Sequence, residues 1–419
     1  MEQSYSEQML TALENEDLVA AQLAFNQALV KDQPEELAQL GEQLLQLGFL
    51  EEAQQLFERL VEQTKSPEFY LPLAEIAIEN DQIDTAFEFI EKIPKDNDFY
   101  PEALLLSADL YQVLGIPEVS EAKLNEAAKL LPDEPLIQFA LAELYFTTER
   151  FSEAATLYQM LLAAKVKEMA NVSLEERLGS ALSLEGKFEE AVVHMEKALQ
   201  EEVTDDRLFQ TAFVYLQLKE NQQAIHYLQQ LRTLNPQYQS LYLYLAQALQ
   251  EEELLEEAQE VIEEGLKENP FQIDFYQFAS ENAFRLHEEE KAEKFLIQAL
   301  EIGEKTDETL LMLSNLYLKE ERFDEVVTTI EKMENPDDAF AQWNLAHAYN
   351  ELEDFTEAAV HYEQANVSLQ HEPEFMKEYG LFLREEGRLA EALSLFTHYL
   401  SHEPGDLEVQ SIIDALTEG

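Results

Sequence analysis

The sequence predicts an all-α solenoid of about twelve helical hairpins, and three observations predict it. A small residue recurs at a near-constant step, large apolar residues flank it at fixed offsets, and prolines fall at the boundaries between units. A short internal period of this kind overrides the two or three globular domains that 419 residues would otherwise suggest.

Gly41, Gly179 and Gly380 share a setting: an apolar residue just before, a bulky apolar residue three positions after, and an alanine twelve after. Those alanines, Ala53, Ala191 and Ala392, are each followed four residues on by a large side chain (Phe57, Met195, Phe396). Each is preceded three residues back by another (Leu50, Phe188, Leu389). Such spacings belong to one face of a helix. The same template recurs at Ala21, Ala53, Ala86, Ser120, Ala154, Ala191, Ala224, Ala258, Ala292, Val326, Ala358 and Ala392, in steps of 32 to 37 residues. Pro34, Pro67, Pro101, Pro132, Pro135, Pro236, Pro270, Pro373 and Pro404 sit where a second helix ends or the next unit begins. A missing N–H and a fixed φ suit a helix boundary.

These units resemble the tetratricopeptide repeat, a helix–turn–helix of about 34 residues with small residues where its helices touch. In the second unit Leu37, Leu40, Gly41, Leu44, Leu50, Ala53, Phe57 and Leu60 fill the family's apolar and small positions. In the eleventh, Leu345, Ala346, Tyr349, Phe355, Ala358, Tyr362 and Ala365 do so. The resemblance runs through the whole chain and implies a right-handed superhelix, because one hairpin cannot bury both its apolar faces and stacking completes the core. Residues 406–419 carry Val409, Ile412, Ile413 and Leu416 at helical spacing and read as a capping helix. The expected organisation is repeats one to five over residues 1–171, repeats six to twelve over 172–405, and the cap.

Two places depart from the period. In repeat four, Gly115-Ile116-Pro117 replaces the usual turn and Ser120 stands for alanine, which predicts a late start for the second helix. Between repeats five and six, Ala163 to Met169 belongs to a 37-residue step, read as a connector in the form of a longer helix or a bend.

Formal net charge is −60, from 87 acidic and 27 basic residues. Such a surface repels phosphate backbones and anionic headgroups, so nucleic acid and membranes are not expected partners and basic proteins are. Solubility alone is the plain alternative. Cysteine is absent, which removes disulfides, thiolate metal sites and cysteine nucleophiles together. The first seven residues lack a basic region followed by an apolar stretch, and no apolar run reaches the roughly 18 residues of a membrane span, so a cytoplasmic protein is expected.

No chemistry stands out. The 11 glycines are scattered, and none form a phosphate-cradling loop. The eight histidines include no HExxH pattern. His398 and His402, four apart, could meet on one helical face, but Pro404 follows closely and no cysteine or third histidine completes a site, so they read as surface residues at a helix end. With 87 acids, carboxylate pairs occur at every spacing and nominate no general acid or base. The expectation is a non-enzymatic protein without cofactor or metal.

In the tetratricopeptide family the first helix of each hairpin lines the concave face, and the second, fifth, ninth, twelfth and thirteenth residues point toward a ligand. Carried onto repeats two to five, the resemblance implies a surface of Glu35, Glu42, Glu68, Glu75, Glu79, Glu102, Asp109 and Glu143, interrupted by Leu45, Leu71, Ile78, Leu105, Phe139 and Phe146. No lysine or arginine falls in that set. From repeat seven the same offsets give Phe209, Phe213, Phe284 and Trp343, among others. Exposed aromatics of this kind are typical interface anchors; burial under a later helix is the plain alternative. A scaffold or adaptor holding a basic or amphipathic protein segment is therefore expected. A peptide-switched regulator of a second protein is the alternative, and composition resembles cytosolic repeat proteins of bacteria. Clamps for an acidic C-terminus need lysine and asparagine in consecutive repeats, and only Asn315, Lys319 and Asn350 faintly match.

Overall fold

The computed structural model describes residues 3–418 and divides into two compact units, Met1–Val214 and Tyr215–Gly419. In the first unit, α1 (Tyr5–Glu14) pairs with α2 (Leu18–Lys31), α3 (Pro34–Gln46) with α4 (Leu50–Thr64), and α5 (Tyr70–Glu79) with α6 (Ile83–Ile90). There follow α7 (Tyr100–Val113) with α8 (Pro117–Leu130), α9 (Pro135–Thr147) with α10 (Phe151–Ala163), and α11 (Leu174–Leu184) with α12 (Phe188–Glu201). Helix α13 (Asp205–Gln217) carries the boundary. The second unit continues through α14 (Asn221–Leu234), α15 (Ser240–Glu251), α16 (Leu255–Glu268), α17 (Ile273–Arg285) and α18 (Glu289–Ile302). It ends with α19 (Thr306–Lys319), α20 (Phe323–Ile330), α21 (Ala339–Glu351), α22 (Phe355–Leu369), α23 (Pro373–Glu385), α24 (Leu389–His402) and α25 (Leu407–Glu418). None of these helices is long and apolar enough to cross a membrane.

The register of the repeat is written in the backbone. Each template residue lies three positions into its second helix. Five positions before it, inside the hairpin turn, stands a residue with φ between 58° and 81°: Glu16, Gly48, Asp81, Gly115, Glu149, Gly186, Lys219, Glu253, His287, Glu321, Glu353 and Gly387. This left-handed residue ends the first helix, and the next N–H reaches back to an orphan carbonyl, as from Phe49 to Leu44 (2.8 Å) and from Arg388 to Leu383 (2.8 Å). Repeat four obeys the same rule. Helix α8 begins at Pro117, three residues before Ser120, so the late start expected there does not occur; proline occupies a first-turn position where its missing N–H costs nothing.

The long step between repeats five and six does not lengthen a helix. It folds as a two-stranded antiparallel ribbon, β1 (Glu168–Met169) and β2 (Val172–Ser173), with Glu168 opposite Ser173 and Met169 opposite Val172. Ala170 and Asn171 both have positive φ (49° and 62°), the signature of a type I′ hairpin turn. Ser173 then caps α11 by accepting from the Glu176 N–H.

Packing follows the template. Ala53, Ala191 and Ala392 are fully buried, and so are their counterparts in the other repeats apart from Ala21, which is 3 % exposed. Opposite them, a β-carbon on Gly41 would lie 2.8 Å from the Phe57 ring, and one on Gly380 would lie 2.6 Å from Phe396, both rings being buried. Glycine is thus what lets these helices close on a large aromatic. At the C-terminus, Val409 of α25 is buried against the last hairpins, with Ile412, Ile413 and Leu416 packed beside it, which makes α25 the cap of that core.

Scarce basic residues tie successive hairpins together. Arg150 pairs with Glu121 of the preceding hairpin (2.7 Å) and with Glu153, and lies over the Tyr145 ring, whose hydroxyl donates to Glu121. Arg322 repeats the arrangement with Glu293 (2.8 Å), Glu325 and Tyr317.

Replacing Gly380 with alanine should lower stability by about 1–3 kcal/mol, the usual cost of overpacking a core. Urea unfolding measures it, and Gly405→Ala, where an added β-carbon meets open space, is the control.

Candidate protein-binding groove

Helices α3, α5 and α7 are the first helices of consecutive hairpins, and a groove of about 510 Å³ opens along them. Its walls carry Glu42, Glu68, Glu75 and Glu102, and its apolar lining comes from Leu45, Phe57, Phe69, Leu71, Pro72 and Phe99. Local sequence sets the edges. Pro67 opens a short 3-10 turn (Pro67–Phe69) that brings Phe69 against the Phe57 ring at 6.4 Å. Asn97 accepts from the Phe99 N–H (2.9 Å) and so fixes the entry into α7.

None of the four groove carboxylates has an ion-pair or hydrogen-bond partner among the described residues. The consequence is visible at Glu75. Loss of water along the wall, together with the neighbouring Glu102 charge, raises the Glu75 carboxyl above its ordinary range. Desolvation likewise raises Asp109, farther along α7.

The other residues singled out by sequence have mixed placements. Glu35 and Glu79 are exposed, and Ile78 and Leu105 are half-buried. Leu71 and Phe139 are buried, 9 % and 7 % exposed, so Phe139 belongs to the core more than to any surface. Glu143 is already satisfied. The Tyr158 hydroxyl donates to it (2.5 Å), and Arg177, from one repeat later, pairs with it at 3.1 Å while lying over the Phe146 ring. Glu143 is thus compensated where the groove carboxylates are not.

In the later repeats Phe209 and Phe213 are half-buried. Phe284 lies under Lys319, whose ammonium is 4.8 Å from the ring centroid, beside a small cavity of about 160 Å³. Trp343 is half-buried and meets the buried Phe375 edge-on at 5.6 Å, with the exposed Phe340 on its other side at 6.4 Å. The structure corrects the expectation that no third histidine accompanies His398 and His402: His371, from the turn after α22 and 27 residues before His398, joins the pair on α24.

Comparison with known proteins agrees with this architecture. Residues 340–406 match the model for YpiA-like, C-terminal tetratricopeptide repeats, residues 112–166 that for YpiA-like tetratricopeptide repeats, and residues 215–280 a general tetratricopeptide repeat. The chain is 35 % identical over 353 residues to the TPR repeat-containing protein YpiA of Bacillus subtilis (strain 168), covering 84 % of this chain and 82 % of that protein. The chain belongs to the tetratricopeptide-repeat family.

Solved tetratricopeptide-repeat folds align along this chain at low identity. The APC/C hetero-tetramer Cut9–Hcn1 matches at 13 % identity and a TM-score of 0.41, covering 98 % of this chain and 96 % of that one. Yeast Tom70 matches at 15 % and 0.43, covering 92 % and 95 %. YrrB, described as a TPR protein with an unusual peptide-binding site, matches at 20 % and 0.39, covering 48 % of this chain and 97 % of its own.

The raised Glu75 carboxyl sets a pH dependence for this tetratricopeptide-repeat chain. Above pH 4.5, the ordinary glutamate value, the folded chain binds this proton more readily than the unfolded one, so the group lowers stability as pH rises through its folded value. Glu75→Gln should therefore stabilise the free protein at neutral pH by less than about 1 kcal/mol, the side chain keeping solvent access. Urea unfolding at neutral pH and again below pH 4.5 should show that gain and then its disappearance.

Proposed function

We propose that this protein works by binding alone, as a scaffold or adaptor that holds a basic, amphipathic segment of another protein in the groove along α3, α5 and α7. The observation that carries the reading is the groove's composition: four carboxylates without internal partners above an apolar lining. Carboxylates that repel one another in the free protein gain most from a lysine or arginine brought between them, while apolar side chains of the same segment fill the lining. Family membership supports the same reading, since stacked hairpins present extended concave surfaces. A negative chain also steers a basic partner toward itself before contact.

The test uses an amphipathic peptide with lysines and leucines at helical spacing. Changing Glu42, Glu68, Glu75 and Glu102 together to glutamine should weaken its binding about tenfold or more and flatten the salt dependence, while helicity stays unchanged. A charge-matched control changes Glu62, Glu88, Glu189 and Glu190, exposed residues of second helices. Titration calorimetry at two salt concentrations compares them. If the control loses as much affinity as the groove variant, or if neither loses any, the groove is not the site.

A further inference from the structure

The three histidines near the C-terminus form a cluster that the binding groove leaves unused. His371 lies in the turn between α22 and α23, and His398 and His402 lie four residues apart in the last turns of α24. One ring nitrogen from each falls within 4.8 Å of the other two. Nε2 of His398 and Nε2 of His402 are 3.4 Å apart, and the His371 and His398 rings meet edge to face with centroids 5.3 Å apart. His371 and His402 are exposed, which leaves both rings free to turn, and His398 is half-buried between them.

That nitrogen spacing has chemical content. With a zinc–nitrogen bond of about 2.0–2.1 Å, two ligands of a tetrahedral ion stand roughly 3.3–3.4 Å apart. The His398–His402 pair is already at that separation, and small rotations of two surface rings bring the third nitrogen in. Three imidazoles with an open fourth position form a donor set for borderline ions such as Zn²⁺, Ni²⁺ or Cu²⁺; Mg²⁺ and Ca²⁺ prefer oxygen. The last turn of α24 adds the partial negative charge of a helix C-terminus, and the −60 chain raises the local concentration of cations.

We propose that His371, His398 and His402 bind one divalent transition-metal ion of the zinc class, which clips the turn before α23 to the end of α24. The ion ties together the two ends of the last hairpin, next to the cap α25.

The experiment is calorimetric titration of Zn²⁺ into the chelator-stripped full chain with excess Mg²⁺ present to occupy the many surface carboxylates. One ion per chain is expected, with a rise in the thermal unfolding midpoint on binding. His371→Gln and, separately, His402→Gln should each weaken binding about tenfold or more and abolish the midpoint shift, with circular dichroism unchanged. Co²⁺ in place of Zn²⁺ should give the absorption of a low-coordinate nitrogen site in the parent alone. Zinc binding that survives both substitutions, or that excess Mg²⁺ removes, belongs to the acidic surface and overturns the proposal.

Discussion

Where the first helix carries a glycine twelve positions before the template residue, that glycine faces a large side chain four positions beyond the template residue on the second helix, and the helices close to the distance that pair allows. Gly41 against Phe57 and Gly380 against Phe396 show the limit: there is no room for a β-carbon. Helices this close bury one face of each hairpin but leave another apolar face open, and the next hairpin covers it. The left-handed residue in every turn follows from the same demand, since the chain must reverse sharply while its last helical carbonyls still find donors. The twelve left-handed turns and the close glycine contacts thus serve one geometry, the tight antiparallel hairpin.

Charge is distributed around that frame unequally. With 27 basic residues against 87 acidic, cations are scarce, and several are committed to the frame: Arg150, Arg322 and Arg388 each bridge a hairpin to the one before it. Half-exposed pairs of this kind add little stability singly, but they neutralise the surfaces where second helices meet. On the first-helix side, Arg177 of α11 neutralises Glu143 of α9. Along α3, α5 and α7 the groove carboxylates Glu42, Glu68, Glu75 and Glu102 have no such partner among the described residues, and Glu75 and, farther along α7, Asp109 hold their protons more tightly than isolated carboxylates do. Under the proposed function, a basic partner relieves the repulsion between Glu75 and Glu102.

The repeat was legible from sequence because its period, its small residues and its prolines report independently on one geometry, and the cap was legible from Val409, Ile412, Ile413 and Leu416. Turn detail was not. Gly115-Ile116-Pro117 looks irregular by residue type yet adopts the common backbone, because proline suits a helix start. The ribbon at Glu168–Ser173 has Ala170-Asn171 in its turn, where Asn-Gly would have announced a hairpin. On the candidate groove, the family's offsets name Glu42, Glu68, Glu75 and Glu102, while Phe69, Pro72 and Phe99 fall outside them because they belong to turns and helix entries. Arg177 lies one repeat beyond Glu143, and His371 lies 27 residues before His398; neither contact shows until the hairpins are stacked.

Under the proposed function, first helices of consecutive hairpins, and not the acidic surface at large, receive the partner. Hydrogen exchange of the whole chain, with and without the amphipathic lysine–leucine peptide, tests it most directly. Slowed exchange concentrated in α3, α5 and α7, with α4, α6 and α8 little changed, is the expected result. Protection spread evenly over first and second helices, or centred on another part of the chain, would contradict it.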